Sequence, residues 1–571
     1  VPVVAKGIIC VLSQSPNGIK SSRREHRRRA IGKRRQAVVK GRRKVHPRGT
    51  AASRLRRSRS RRISATMPSI NLLFRANNHL FNLLFRADYC LSNLPFRDKG
   101  DMVRLCQVNS LRGVRPVMTE EKDTVVLKRK LYDRLLEWKN KSRGTSALMI
   151  DGARRVGKSY LCRQFAENEY ESYIMIDFGN APVEILDLFA YDSSNLDLFF
   201  AKLSAFYSTL LHKRSSVIIF DEVQQYPRAR QLIKYLVEDG RYDYIETGSL
   251  IRIRKNVQDI IIPSEEEHVE MFPLDLEEFL WALGDFATMP LVRNCFNNRT
   301  PLGQALHRKV MNDFRQYVIV GGMPQAVLAY LRNKEFESVD AVKRQIITLY
   351  RNDVSKFAAG YEDKVIAVFD GIPGQLSKKE KKYRLSSISK EARFRNFEDS
   401  FVWLHEAMIV NTSLNATDPH VGLALSADKA TQKCYMADTG LLITLAFMDK
   451  PFVENELYRA VLFDRLEINE GMIMENAVAQ MLRTQGHKLY FYSRNDPNNR
   501  ENHMEIDFLI TEERKIAPIE VKSGKYRSHS SLDKFRKKFS KSLGSSYILY
   551  TNDVMVKAGI VHLPLYMAML L

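Results

Sequence analysis

One loop, Gly152-Ala153-Arg154-Arg155-Val156-Gly157-Lys158-Ser159, constrains the fold of this chain more than any other segment. It follows the short apolar run Ala147 to Ile150 and precedes a stretch with Tyr160, Leu161 and Phe165 at helical spacing. Strand, loop, helix is the expected order. The spacing G-x-x-x-x-G-K-[ST] has a physical reason: the glycines let the backbone wrap closely enough for its N–H groups to face phosphate oxygens, and the helix N-terminus adds positive potential. In such a loop the backbone from Gly152 to Tyr160 cradles a triphosphate, Lys158 reaches the β and γ phosphates and Ser159 ligates Mg2+. ATP with Mg2+ is the cofactor pair expected.

The second half of such a site is legible at Val217 to Phe220, a buried-strand run that ends abruptly in Asp221 and Glu222. Asp221 is expected to hold the Mg2+ through water and Glu222 to orient or deprotonate the attacking water. A surface carboxylate pair after a core strand is the bland alternative; the complete phosphate loop about sixty residues earlier argues against it. Tyr173 to Ile176 is a further expected strand. Leu196 to Leu211 is an expected helix with Leu196, Phe199, Phe200, Leu203, Phe206 and Leu210 at helical spacing, and its aromatics should enter the core. Another helix carries Leu232, Ile233, Leu236 and Val237. A strand over Tyr242 to Glu246 then ends in Thr247, Gly248 and Ser249. This alternation predicts a parallel α/β sheet whose strand ends gather around the phosphates.

Length and composition set the surroundings. With 571 residues, three or four domains are expected. Cys10, Cys90, Cys106, Cys162, Cys295 and Cys434 form no C-x-x-C pair, which argues against a disulfide scaffold or zinc site and suggests a cytoplasmic protein. No run of eighteen or more apolar residues suggests a membrane partner. The net charge of +25 is uneven: residues 1–117 hold 28 of the 90 Lys and Arg and 4 of the 65 Asp and Glu. The catalytic part is therefore nearly neutral, and overall charge says nothing about what it binds. Residues 23–62 are Arg-dominated and too poor in apolar groups to fold, and NLLFRA recurs at Asn71 and Asn82. The chain begins with Val, and Met118 opens a sequence that reads as a compact protein. Residues 1–117 are expected to be translated upstream sequence; a disordered phosphate-neutralising arm and a folded or targeting element are the alternatives.

From about Met118 onward the chain resembles the AAA-type ATPases of bacteria and archaea whose C-terminal half is a domain of unknown function with a restriction-endonuclease-like core. Beside the two phosphate-site motifs, the resemblance rests on IETGSL (Ile245 to Leu250), HVEMFPLDLEEFLWA (His268 to Ala282), YVIVGGMPQAV (Tyr317 to Val327), YMADTGLL (Tyr435 to Leu442) and EIDFLI followed by IEVKSG. It implies that Thr247 or Ser249 senses the γ phosphate, without deciding between them, and leaves an arginine finger open among Arg252, Arg254 and others. The expected architecture is multidomain α/β: an N-terminal extension (1–117), a P-loop AAA-type parallel sheet (118–290), a helical lid and winged-helix region (291–415) and a restriction-endonuclease-like domain (416–571).

Ser386 to Leu414 reads as helix, turn, longer helix with Phe401, Leu404 and Met408 on one face, then an extended stretch, which is a winged-helix pattern. Lys390, Arg393 and Arg395 are then candidate DNA phosphate contacts, with an intramolecular packing module as the alternative. Further on, Glu505 and Asp507 share one face of an expected strand, as do Glu520 and Lys522 of the next. Spacing alone leaves these as surface charges on amphipathic strands. The resemblance implies instead that Asp507 and Glu520 hold a metal ion, Lys522 positions water and Glu475 completes the set from a preceding helix, although Ile506 replaces the usual Pro before the first Asp. Two functions follow as expectations. In one, an ATPase drives a DNA-cleaving C-terminal half. In the other, a nucleotide-operated switch or DNA-binding regulator carries an inactive nuclease-like domain. Self-assembly into a homo-oligomer is left open.

Overall fold

Apolar residues on both faces make β1 (Ala147–Asp151) an interior strand, buried along its whole length. Around it, β2 (Ser172–Asp177), β3 (Ser216–Asp221), β4 (Asp243–Gly248) and β5 (Glu266–Glu270) form a sheet of order β2-β3-β4-β1-β5, parallel throughout. The computed structural model describes residues 125–250, 263–378, 382–420, 422–449, 470–496, 499–523 and 529–571. The basic arm, the NLLFRA repeat, Cys10, Cys90, Cys106, Arg252 and Arg254 lie outside the described residues.

Around this sheet lie α1 (Leu131–Ser142), α2 (Lys158–Glu169), α3 (Leu196–Tyr207) and α4 (Pro227–Asp239). In α3, Phe199 and Phe200 are buried as expected, with Leu203 beside them, but the third aromatic, Phe206, is 46% exposed, and Leu210 beyond the helix is 72% exposed. The helix stops at Ser208, which takes a left-handed conformation (φ 49°), so Leu210 lies past the point where the chain turns away; Phe206 is in the last helical turn and meets the Tyr207 ring edge-on.

Beyond β5 the chain is helical: α5 (Leu276–Ala282), α6 (Thr288–Asn298), α7 (Gln304–Val320), α8 (Pro324–Asn333), α9 (Phe336–Phe357), α10 (Glu362–Ser377) and α11 (Glu398–Glu406). The expected helix at the start of the winged-helix pattern is not formed. Leu385–Ser387 and Phe394–Asn396 are single 3-10 turns. This polar stretch offers Leu385, Ile388, Ala392 and Phe394 only as partly buried contacts, too little of an apolar face to hold a helix. Lys390, Arg393 and Arg395 are exposed on it.

The extended stretch after α11 is β6 (Val410–Ala416), and it belongs to an eight-stranded sheet with β7 (Ala427–Met436), β8 (Tyr490–Arg494), β9 (Met504–Glu512), β10 (Lys515–Val521), β11 (Tyr547–Tyr550), β12 (Met555–Lys557) and β13 (Ile560–Pro564). Its order is β12-β13-β11-β10-β9-β8-β6-β7. The expected boundary between residues 415 and 416 thus falls inside β6. Helices α12 (Thr439–Ala446), α13 (Glu470–Thr484) and α14 (Ser530–Lys538) complete this half. From α13 the order is helix, three antiparallel strands (β8, β9, β10), α14, then β11 parallel to β10.

One apolar core joins the two halves. It runs from Leu127 and Trp138 through α7 and α9 to α12, α13 and the C-terminal turn at Leu565–Leu570. Glycines permit its tightest contact: a Cβ on Gly322 would sit 2.1 Å from the Leu274 carbonyl oxygen, and one on Gly440 would sit 2.6 Å from the Gly321 Cα. There the GGMPQ and ADTG segments meet, and buried Asp438 accepts the Gly322 N–H at 2.6 Å and the Leu441 N–H at 2.9 Å. Among the described residues no helix is long and apolar enough to cross a membrane.

Candidate functional site

With β4 between β3 and β1, the C-terminal ends of three parallel strands deliver their last residues to one place, the usual position for a site in an open α/β sheet. Gly152 to Gly157 connect β1 to α2, and Gly157, at φ 100°, supplies the left-handed turn before Lys158 begins the helix. Ala153 and Val156 are buried behind the loop, whereas Arg155 and Tyr160 are exposed on its outer side.

The Lys158 ammonium donates to Gly152 O (3.0 Å), Ala153 O (3.2 Å) and Ser249 Oγ (2.8 Å). All three are neutral acceptors. Burial holds the Lys158 pKa below its ordinary value, against the pull of the Glu222, Asp221 and Asp151 carboxylates nearby. The Ser159 hydroxyl donates to Asp221 Oδ1 at 2.8 Å, and the Thr247 hydroxyl donates to the same oxygen. Burial pushes Asp221 up, opposed by those two hydroxyls. Ser159 and Asp221 are hard oxygen donors of the kind Mg2+ takes, and their adjacency fits that ion. Glu222, at φ 54°, has its carboxylate held by the Gln224 amide and, at 3.4 Å, by the Ser249 hydroxyl.

The cleft beside these residues has a volume of about 510 Å³, within the range of about 300–1,000 Å³ usual for small-ligand sites. Its polar end is Arg154, Lys158, Ser159 and Asp221; its apolar wall is Val125, Leu127, Met271, Pro324 and Leu328. Pro324 and Leu328 lie on α8, immediately after the glycines that meet Asp438. Sequence reasoning missed three supports of the loop. Buried Arg129 donates to Val156 O (3.0 Å) and Phe272 O (2.6 Å) and pairs with Glu278 at 3.2 Å. From α9, Asp353 pairs with Arg154 at 2.6 Å and the Tyr350 hydroxyl donates to Arg154 O at 3.1 Å. Nothing in local spacing marks these, because each partner lies on a distant segment.

A second cluster lies on the large sheet where α13 crosses it. Glu475 Oε1 accepts from the Tyr435 hydroxyl at 2.5 Å and from the Lys433 ammonium at 3.0 Å, and Lys433 also pairs with Glu505 at 3.4 Å. Asp507 Oδ2 accepts the Val521 N–H at 2.8 Å, and Lys522 pairs with Glu520 at 2.5 Å. Burial, with the Glu475 carboxylate adding to it, pushes Asp507 up to about 7. Glu475, Asp507, Glu520 and Lys522 are thus brought to one region, together with Lys433 and Tyr435, which sequence reasoning passed over. Among the described residues no three His, Cys, Asp or Glu side chains converge as a metal-ligand set.

The similarities to known proteins follow this division. Residues 144–280 match the family described as an AAA domain, and the chain carries an AAA-type P-loop ATPase domain. Residues 311–451 match a domain of unknown function (DUF8612), and residues 470–567 match another (DUF4143). No curated protein matches the chain. Among solved structures, a Walker-type ATPase of Pyrococcus abyssi is 15% identical over 56% of this chain and 96% of its own, with a TM-score of 0.36. The Orc1 protein of Aeropyrum pernix in complex with DNA is 13% identical over 58% of this chain and 96% of its own, with a TM-score of 0.25. Both are distant likenesses.

Proposed function

We propose that this chain hydrolyses Mg-ATP and uses the bound nucleotide to set the state of its C-terminal half, which acts on DNA. The convergence of Lys158, Ser159, Asp221 and Glu222 at the ends of β1 and β3 carries the hydrolytic part. Lys158 supplies positive charge to the β and γ phosphates. Glu222 takes the proton of the water whose oxygen attacks the γ phosphorus, while the bond to the ADP oxygen breaks. Bound Mg2+ would be held by Ser159 directly and by Asp221 through water, and would neutralise charge on the transferring group. Of the two sensor candidates the geometry favours Ser249, which touches both Lys158 and Glu222, whereas Thr247 orients Asp221 and accepts the Glu222 N–H at 3.3 Å.

Coupling is supported by an unbroken buried path. Gly322, two residues before the cleft wall at Pro324, bonds Asp438; the neighbouring Thr439 N–H and hydroxyl donate to Gln480 Oε1 at 2.8 and 2.7 Å, and the Asn476 amide donates to Thr439 Oγ1 at 2.9 Å. Asn476 and Gln480 lie on α13 beside Glu475. The strand and helix order from α13 to β11 supports the restriction-endonuclease-like reading of this half, and exposed Lys390, Arg393 and Arg395 are its candidate phosphate contacts. Of the two expected functions, the position of Lys433 among the carboxylates favours the switch or regulator that does not cut. An ATPase assay with DNA binding measured in ADP and in a non-hydrolysable ATP analogue tests this: the two nucleotides should give different DNA affinities. Mg2+-dependent nicking lost in Asp507→Ala and Lys522→Ala would establish the cleaving alternative.

A further inference from the structure

Three arginines among the described residues line the nucleotide cleft, and their contacts differ. Arg129 is buried and committed to Val156 O, Phe272 O and Glu278. Arg155 is exposed, with no hydrogen bond or ion pair to hold its side chain among the described residues. Arg154 differs from both. Its Nη1 donates to Asp353 Oδ1 at 2.6 Å, and its carbonyl oxygen accepts the Tyr350 hydroxyl at 3.1 Å. Tyr350 and Asp353 are three residues apart on α9, hence on one face of it, and both are buried. One helical turn therefore fixes Arg154 at its backbone and at its guanidinium. The side chain is nonetheless 42% exposed, and its remaining N–H groups bond no described residue. A guanidinium carries five N–H donors in a rigid fork, so the bond to Asp353 leaves donors for a phosphate oxygen. Burial pushes the Asp353 carboxyl up, Arg154 opposes this, and the Glu222 carboxylate is near enough to add to it. The Arg154 and Asp353 pair thus stands on the side of the cleft from which Glu222 addresses the water. Replacing a buried ion pair by apolar residues is commonly neutral or stabilising, so the pair calls for a role other than stability.

We infer that Arg154 is the arginine that stabilises the γ phosphoryl group during hydrolysis, supplied by the chain's own phosphate loop, and that Asp353 is the residue that positions it. The inference rests on the ATPase reading proposed above, and it fills the arginine role that the sequence leaves open. As the water oxygen bonds to the γ phosphorus, its proton passes to Glu222; the bond to the ADP oxygen breaks, and that electron pair leaves with ADP. Negative charge on the phosphoryl oxygens and on the leaving oxygen is then met by fixed positive charge. Arg154 stays protonated throughout, so it contributes charge and hydrogen bonds and moves no proton. An arginine carried on the phosphate loop acts on the nucleotide bound by the same chain, so hydrolysis requires no arginine from a second copy. The far end of α9 holds α12: Asp340 accepts the Thr444 hydroxyl at 2.7 Å, and Lys343 donates to Gly440 O at 3.2 Å. The same pair therefore ties the charge at the reacting phosphate to a helix that reaches the C-terminal half.

The test compares steady-state ATPase activity of the full chain with calorimetric binding of ADP, alone and with aluminium fluoride, whose planar complex imitates the phosphoryl group in transfer. Arg154→Lys keeps a cation for Asp353 but loses the fork. It should lower kcat by about 10³-fold and the affinity for ADP with aluminium fluoride by about 100-fold or more, with ADP affinity within about threefold of wild type. Asp353→Asn should lower kcat by about tenfold at unchanged KM and ADP affinity, a split that a merely structural role does not produce. Mixing Arg154→Lys with Glu222→Gln should restore no activity, because both residues are needed in one chain. Wild-type turnover by a folded Arg154→Lys overturns the inference while the ATPase reading stands. So does an equal loss of affinity for ADP with and without aluminium fluoride, and so does activity regained on mixing. A wild type without ATPase activity overturns the inference and the ATPase reading alike. If Arg154→Lys does not fold, Arg154→Met/Asp353→Asn, which leaves no buried carboxylate unpaired, is measured in its place with the same expectations.

Discussion

Two of the buried lysines among the described residues, Lys158 and Lys433, each stand at a candidate site near carboxylates, and they are in opposite electrostatic conditions. Lys158, 5% exposed, contacts two backbone carbonyls and a serine hydroxyl, and burial lowers its pKa. Lys433, about as buried, contacts two carboxylates directly, and the Glu475, Asp507 and Glu505 charges raise its pKa in spite of burial. The first is a cation with no anion in contact among the described residues, poised to be completed by a phosphate. The second is already neutralised. A lysine among acidic residues therefore has no fixed meaning; what matters is whether its contacts are charged.

The contrast can be broken most strongly at the phosphate site. Glu222→Gln should slow ATP hydrolysis by about 10²–10⁴-fold while leaving ATP binding nearly unchanged, read from steady-state phosphate release against calorimetric affinity. Next in size, Lys433→Met removes the ammonium from the half-buried Glu475 and Glu505 carboxylates and should cost about 1.5–3 kcal/mol in denaturant unfolding, with the ATP affinity of the folded fraction unaltered. If ATP affinity fell in step with stability, the two lysines would not be independent.

Smaller changes sharpen the comparison through the link between the sites. Gly322→Ala puts a Cβ against the Leu274 backbone and should destabilise the chain by about 1–3 kcal/mol, while weakening any response of the C-terminal half to nucleotide, as read by protease sensitivity with and without ATP. Smallest is His268 on β5, beside the phosphate strand. Its ring lies 3.9 Å from the Asp151 carboxylate and 3.1 Å from that of Glu266, and these two acceptors raise its pKa from 6.5 to about 9. A pKa raised in the folded state adds stability that is fully present below pH 6.5 and lost as pH rises through about 9. Its side chain is 42% exposed, so the effect after screening is at most about 1 kcal/mol. The stability gap between wild type and His268→Gln should therefore shrink from pH 6 to pH 9; a gap that does not change would remove the histidine from the network.

How far each region could be read from sequence follows from the range of its contacts. The phosphate loop is local: one octapeptide encodes strand end, turn and helix start, and Asp221 and Glu222 follow a strand whose apolar run is unambiguous. Thr247 and Ser249 were visible as a pair, but only the bond from Lys158 separates their roles. The C-terminal cluster assembles from β7, α13, β9 and β10, and no spacing predicts that Lys433 reaches Glu475. A faint signal existed, since Lys433 and Tyr435 alternate with Cys434 and Met436 at the buried end of their strand. The helix expected at Ser386 failed for the opposite reason: helical spacing was present locally, but the tertiary face needed to stabilise it was not.

The most direct measurement is isothermal calorimetry of Mg-ATP binding to wild type and Lys158→Ala, each checked for native melting. An ammonium held only by neutral acceptors should be worth a large part of the phosphate affinity, so binding to the wild type should weaken by about 100-fold or more in the variant, about 2.8 kcal/mol. Equal affinities in the two proteins, or no heat of binding in the wild type, would contradict the assignment of this cleft as the nucleotide site.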